Sequence, residues 1–196
     1  MEFFINNNKA DITIENEKTV GDVLKAFELE CSKNKATTTG IILNGKTITA
    51  SSFDDACKQP LEDSTKLEFT VVSLEDIKAT LRNEAEQSVQ ISEKLLELPV
   101  KLQTGKDSDA SNLITMLADF IDSFCRTTSL SALFPEDFEN FNIGNKSIGD
   151  FFADFTHILE DFKQAIEAKD FVLMGDLAEY EISPRLIAIA DAIKEL

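Results

Sequence analysis

The chain has 196 residues, 43% of them hydrophobic, enough to build one large core or two small ones. Its 36 acidic and 19 basic residues leave a formal charge of −17, which repels nucleic-acid phosphates and anionic lipid headgroups and favours basic or apolar protein partners. No basic start leads into an apolar targeting segment and no run of about 18 apolar residues occurs, so a cytoplasmic protein with no membrane contact is expected.

Residues 2–5 alternate into "ADITIE", with Ile12 and Ile14 on one face and "NNNK" between, which predicts a hairpin. In "KTVGDVLKAFELECS" the period changes: Thr19 is an N-cap, and Val20, Val23, Leu24 and Phe27 fall at helical spacing. "GIILNGKTI" sets an Asn-Gly turn between two short apolar runs, and "KLEFTVV" alternates Leu67, Phe69 and Val71 inward against Glu68, Thr70 and Val72.

Strand, strand, helix, strand, short strand and strand follow one another over residues 1–72, and "TVGDVLKAF", "IILNGKTI" and "EDSTKLEFTVV" match in order and spacing. This third of the chain resembles the ubiquitin-like β-grasp family. The resemblance implies conjugation through a C-terminal diglycine or recognition through an apolar surface. In place of a diglycine tail the chain has Val72-Ser73-Leu74 and runs on, which argues against conjugation. Phe4 and Ile42 stand where the family exposes apolar side chains, while Glu68 and Thr70 alter the matching positions on the last strand. The alternative is that Phe4 and Ile42 pack against the second module.

Ser73, with Asp76 three residues on, starts a long helix whose seam is Leu74, Ile77, Leu81, Ile91, Leu95, Leu98 and Leu102. Glu84 and Ser88 interrupt that seam, and Pro99 kinks or ends the helix. After the turn-rich "TGKDSDAS", a second helix carries Leu113, Leu117, Phe120, Ile121 and Phe124. A third carries Ile148, Phe152, Phe155, Leu159, Phe162 and Ile166. A fourth, from Asp170, contains Leu173, Leu177, Ile182, Leu186, Ile189 and Ile193, with Ser183-Pro184 inside it as a cap-and-start pair that signals a kink or a restart. The expected fold is therefore α+β: a ubiquitin-like β-grasp domain over 1–72, then an acidic antiparallel four-helix bundle over 74–196.

The segment "SALFPEDFENFNIGNKS" reads as a loop whose Phe134, Phe138 and Phe141 either cap the bundle or dock a partner. Tyr180 in "DLAEYEISPRL" reads as a buried phenol bonded to a carboxylate across the bundle, or as a partner contact. "AIEAKDFVLMGDLAEYEISPRL" is similar to C-terminal helices of small bacterial flagellar and export proteins, whose helical chaperones hold apolar client segments. Asp150, Asp154, His157 and Asp161 form one helical stripe that could ligate a divalent metal. A chain with one histidine, however, cannot supply the two Glu-x-x-His sets of di-iron bundles. The stripe is the weakest reading, and no cofactor is expected.

Cys31, Cys57 and Cys125 are free thiols by spacing, and no phosphate-binding or hydrolase motif is present. The leading expectation is a non-enzymatic protein-binding adaptor. An export or assembly chaperone is the alternative, and a metal-dependent enzyme built on the Asp/His stripe comes third. The apolar width of residues 91–102, where Leu96 and Val100 flank the seam, points to cover by the aromatic loop or by a second copy in a homodimer.

Overall fold

Two tight turns set the sheet. Asn6 and Asn7 (φ 48° and 67°) and Asn44 and Gly45 (φ 49° and 78°) are left-handed in pairs, the backbone that two-residue hairpin loops require. They join β1 (Glu2–Ile5) to β2 (Asn8–Ala10) and β3 (Ala36–Leu43) to β4 (Lys46–Thr47). In this computed structural model, which describes residues 1–104 and 107–196, the chain divides into two units, Met1–Asp76 and Ile77–Leu196.

In the first unit β5 (Lys66–Ser73) lies parallel to β1 and antiparallel to β3, giving the order β2-β1-β5-β3-β4. Helix α1 (Val20–Lys33) packs on one face. Its start is fixed by a reciprocal box in which Asp22 N–H donates to the Thr19 hydroxyl and Thr19 N–H to the Asp22 carboxylate. Phe3, Val20, Val23, Leu24, Leu43, Leu67 and Phe69 form the core, and Phe27 stacks on Phe69 with ring centroids 4.0 Å apart. β2 is shorter than the sequence pattern predicts. Ile12 and Ile14 pack on the core from chain outside any strand.

Between Thr38 and Gly40 a bulge interrupts the pairing of β3 with β5. On the other side of β3, β4 pairs only Ile42 and Leu43. There Glu28 of α1 takes the Thr38 amide at 3.2 Å and the Thr37 hydroxyl at 2.7 Å. The short α2 (Phe53–Cys57) lies so close to α1 that a Cβ at Gly21 would stand 2.9 Å from the Cys57 carbonyl oxygen.

Ser73 and Asp76 repeat the capping box at the start of α3 (Leu74–Leu95), so strand passes to helix without a linker residue. The helix stops at Leu95 and resumes as α4 (Leu98–Gln103) because Pro99 has no N–H to return to the Leu95 carbonyl and its ring would strike that oxygen. Leu81, Leu95 and Leu98 are fully buried, and each contributes about 1.5–3 kcal/mol to burial. Helix α5 (Asp107–Ser131) follows; at the centre of the expected turn-rich break, Gly105 and Lys106 lie outside the described residues.

The stretch expected as a loop is folded. It holds α6 (Pro135–Phe138) and a small hairpin of β6 (Asn142–Ile143) and β7 (Lys146–Ser147), whose turn uses Gly144 at φ 60°. Helix α7 (Ile148–Ala168) is capped by the Ser147 hydroxyl, and α8 (Phe171–Asp176) by Asp170, which accepts from the Leu173 amide. In α7 the buried positions are Phe151, Phe155, Phe162 and Ala165, so Phe151 joins the core that the sequence pattern had assigned to Phe152. Rings of α5 and α7 meet through Phe124 and Phe152 at 5.7 Å.

Ser183-Pro184 does not cap a restarted helix. The chain runs from α8 through a π-helical turn (Leu177–Ile182) straight into α9 (Ser183–Lys194), with the Ser183 N–H reaching back to the Ala178 carbonyl. In α-helical register the Pro184 ring would strike the Tyr180 carbonyl, and the wider turn avoids this. α3 and α9 run antiparallel, since the Ser92 hydroxyl meets that of Ser183 while Lys78 reaches the Leu196 carbonyl. The helical unit is thus an antiparallel bundle of α3, α5, α7 and α8–α9, and the fold is α+β as expected.

Candidate interaction surfaces

The sheet of the first unit turns one face to α1 and lines up Lys9, Phe4, Glu68, Ile42 and Thr47 as cross-strand neighbours on the other. Phe4 and Ile42 are both half-buried, one on each side of Glu68. Lys66 places its ammonium 4.6 Å from the Phe4 ring centre and 3.1 Å from a Glu68 carboxylate oxygen. This face is a ladder of alternating apolar and charged groups, not the apolar patch that the ubiquitin resemblance implies. On the opposite side, Leu24, Leu29, Ile41, Phe53, Cys57 and neighbouring residues line a cleft of about 520 Å³.

In the helical unit the expected site residues are scattered. Phe141 is buried with Ile143, and its ring stands 6.1 Å from that of Phe138, which like Phe134 is half-buried. β6 meets both α7 and α9, so these aromatics close one end of the bundle. Tyr180 is not the buried phenol that was one of its two expected readings. It lies on the π turn, 65% exposed, and its phenol is raised by the neighbouring Glu179 rather than bonded across the bundle.

The Asp/His stripe is also pulled apart. Asp150 accepts from the Ser147 hydroxyl that caps α7, and Asp154 takes the Lys146 ammonium, which holds its carboxyl below the usual range. His157 faces Glu160 at 3.6 Å, while Asp161 is exposed. Among the described residues no group of three or more His, Cys, Asp or Glu side chains is placed to hold a metal ion.

Two features of this unit were not named as sites from sequence. The first is a buried polar seam on α3. Glu84, 1% exposed, accepts at Oε1 from the Ser123 hydroxyl at 2.7 Å and from the Thr127 hydroxyl at 2.8 Å. Its Oε2 is buried without a hydrogen-bond partner, and burial pushes its pKa up against the pull of those two hydroxyls. Ser88 returns its hydroxyl to the Ala85 carbonyl, and Ser92 meets Ser183 at 2.6 Å. Both polar interruptions of the heptad seam are therefore inside the bundle, Glu84 answered by hydroxyls of α5 and Ser88 by a carbonyl of its own helix, while the adjacent Ser92 meets α9.

The second feature is an exposed apolar ridge. A Cβ at Gly175 would stand 2.9 Å from Pro99 Cγ, so α4 and α8 cross in close contact. Around that crossing Leu96, Val100, Phe171, Val172 and Leu173 are all exposed, Val172 by 72% and Val100 by 61%. The aromatic segment leaves Leu96 and Val100 uncovered, and Leu173, expected in the core, lies on the surface while Met174 takes the buried position. A run of four apolar residues, Phe171 to Met174, turns through more than one helix face, which is the signal that could have found it.

Residues 79–192, more than half of the chain, match the family described as a domain of unknown function, DUF8042. The chain belongs to the DUF8042 family. Ahead of the DUF8042 region, residues 1–73 match a second family, described as the TP0873 N-terminal domain. A Treponema pallidum (strain Nichols) protein described as uncharacterized is 28% identical over 193 residues, 98% of this chain and 96% of its own length. No solved structure matches the chain. Neither family description names ubiquitin, so the β-grasp likeness rests on strand order and local motifs. The DUF8042 region contains both the Glu84 seam and the α4–α8 ridge. No described helix is long and apolar enough to cross a membrane.

Proposed function

We propose that this protein is a non-enzymatic protein-binding adaptor whose helical unit supplies the contact surface. The observation that carries this reading is the α4–α8 ridge, where five large apolar side chains are left to solvent around one helix crossing. Scattered single apolar residues need no explanation, but a cluster next to a rigid crossing is what recognition surfaces are made of. The ridge is held in shape by Pro99 against Gly175, so little order has to be imposed when a partner binds. Asp150 and Asp154 are engaged by Ser147 and Lys146, His157 faces Glu160 and Asp161 is exposed, so this stripe lends no support to the metal-dependent reading.

An export or assembly chaperone is the second reading. It is favoured by the same ridge, since Phe171–Leu173 falls within the stretch that is similar to helices of bacterial export proteins. The two readings differ in whether the bound client is folded.

The test is site-specific photocrosslinking in the native cell, with a benzophenone side chain at Val172 and, as control, at the exposed Lys163. One protein crosslinked from Val172 and not from Lys163, and lost in Val100→Asp, supports the reading. No adduct specific to Val172 overturns it. A folded crosslinked partner favours the adaptor, and an unfolded or unassembled one favours the chaperone.

A further inference from the structure

We infer that the α4–α8 ridge takes a basic amphipathic helix of a partner protein, a reading that rests on the protein-binding role proposed above and names the chemistry of the partner. Three observations fix that chemistry. The first is apolar area: Leu96 and Val100 from one side of the Pro99–Gly175 contact and Phe171, Val172 and Leu173 from the other offer side chains rather than backbone. α4 and α8 are helices whose own main-chain bonds are made, so the ridge presents no strand edge. A partner must therefore satisfy its own backbone, which a helix does and an extended peptide does not.

The second observation is charge. Residues 167–181 hold five carboxylates and a single lysine, Lys169. Glu181 is engaged by Arg185 at 2.6 Å and Glu167 faces Lys163 at 3.9 Å, while Glu167, Asp170 and Asp176 are all exposed on either side of Phe171–Leu173. Across the ridge, Lys101 is taken by Glu97 at 2.8 Å. The apolar surface is rimmed by negative charge, and lysines or arginines flanking the apolar face of an incoming helix complement it.

The third observation separates this occupant from a second copy. Two-fold pairing sets the same surface against itself, so the acidic rim of one copy, with Glu167, Asp170 and Asp176, would face the equally acidic surface of the other. In a chain of net charge −17 that arrangement opposes contact at the rim where a foreign basic helix is attracted.

The experiment uses the full chain and three synthetic 18-residue probes followed by fluorescence anisotropy. One has leucines at helical i, i+3, i+4 and i+7 spacing with lysines beside them, the second has glutamates in place of the lysines, and the third keeps the lysines but has serines for leucines. The lysine–leucine probe is expected to bind, with affinity falling about tenfold or more in Val172→Asp, and also falling in Asp176→Lys and as salt is raised. The other two probes are expected to bind at least about tenfold more weakly. Val172→Ser, which adds no charge, must weaken binding in the same direction.

If the glutamate probe binds as well and Val172→Asp abolishes it, the ridge still recognises proteins but the basic partner is wrong. If the lysine–leucine probe fails to bind, or binds equally to Val172→Asp and Val172→Ser, the inference is overturned, while the crosslinking result at Val172 decides the broader role separately. A mass of twice 21.8 kDa by light scattering that falls to 21.8 kDa in Val172→Asp assigns the ridge to a second copy and also overturns it.

Discussion

Thr127 donates its hydroxyl to Glu84 at 2.8 Å inside the helical unit, and this bond occupies only one of the two carboxylate oxygens. A buried carboxylate with one oxygen left without a partner is more costly ionised than protonated. In the folded chain the Glu84 pKa is accordingly raised above its ordinary value of 4.5. Between that value and the raised one the folded state binds more protons than the unfolded state. The contribution of Glu84 to stability is therefore complete below about 4.5 and is lost as pH rises through the folded-state pKa. Glu84→Gln removes this dependence. Chemical denaturation from pH 4 to 8 is expected to show the variant gaining on the parent as pH rises, with the two closest at the acid end. A constant difference across the range contradicts a raised Glu84.

The Ser92 and Ser183 hydroxyls, 2.6 Å apart and buried, tie α3 to α9. Changing either to alanine removes this short bond and leaves the other hydroxyl only a longer one, Ser92 to the Ser183 carbonyl at 3.4 Å or Ser183 to the Ser92 carbonyl at 3.5 Å, at a cost of about 0.5–1.5 kcal/mol. Ser92→Ala with Ser183→Ala removes both groups together and is expected to cost less than the two single changes added. A double-mutant cycle in urea measures that coupling.

Gly175 is required by proximity. Gly175→Ala improves helix propensity by about 1 kcal/mol but drives a methyl to 2.9 Å from Pro99 Cγ, and overpacking of this kind costs about 1–3 kcal/mol. A net loss of stability is expected, partly recovered when Pro99→Ala is added. Full stability in Gly175→Ala alone contradicts the close crossing.

Burial raises the Cys31 and Cys125 thiols above their ordinary value, and for Cys125 nearby Asp122 and Glu84 add to the effect. Alkylation of both by iodoacetamide at pH 7.5 is expected to be slow in the native chain and to accelerate in denaturant. Glu84→Gln removes one of the negative charges that raise Cys125 and is expected to speed its reaction slightly more than that of Cys31.

The seam of α3 was legible because its buried positions keep one period from Leu74 to Leu102, and even the polar interruptions at Glu84 and Ser88 stay in step. What the pattern lacked was the identity of the partners. Ser123, Thr127 and Ser183 are distant in sequence, and nothing local marks them as facing Glu84 or Ser92. In the last helix Leu177, Ile182, Leu186, Ile189 and Ile193 are buried as expected, and the five-residue step from Leu177 to Ile182 is the π turn itself. Leu173 was misplaced because Phe171–Met174 is apolar throughout and gives no phase, and Tyr180 because a single aromatic does not say which side of the turn it takes. The ridge was hidden because an apolar run records hydrophobicity but not whether anything covers it, and only the crossing at Pro99 and Gly175 shows that α4 and α8 leave theirs open.

The grip of Glu28 on Thr37 and Thr38 has a consequence for how this protein behaves among its own copies. β4 covers only the far end of β3, so the amide of Thr38 would otherwise be free to template another chain. One carboxylate from α1 stoppers that position, and the bulge beside it breaks the regular spacing an incoming strand needs. This stretch of the β3 edge is closed to strand addition. At high concentration this segment is guarded against fibril-like stacking by a side chain that belongs to neither strand.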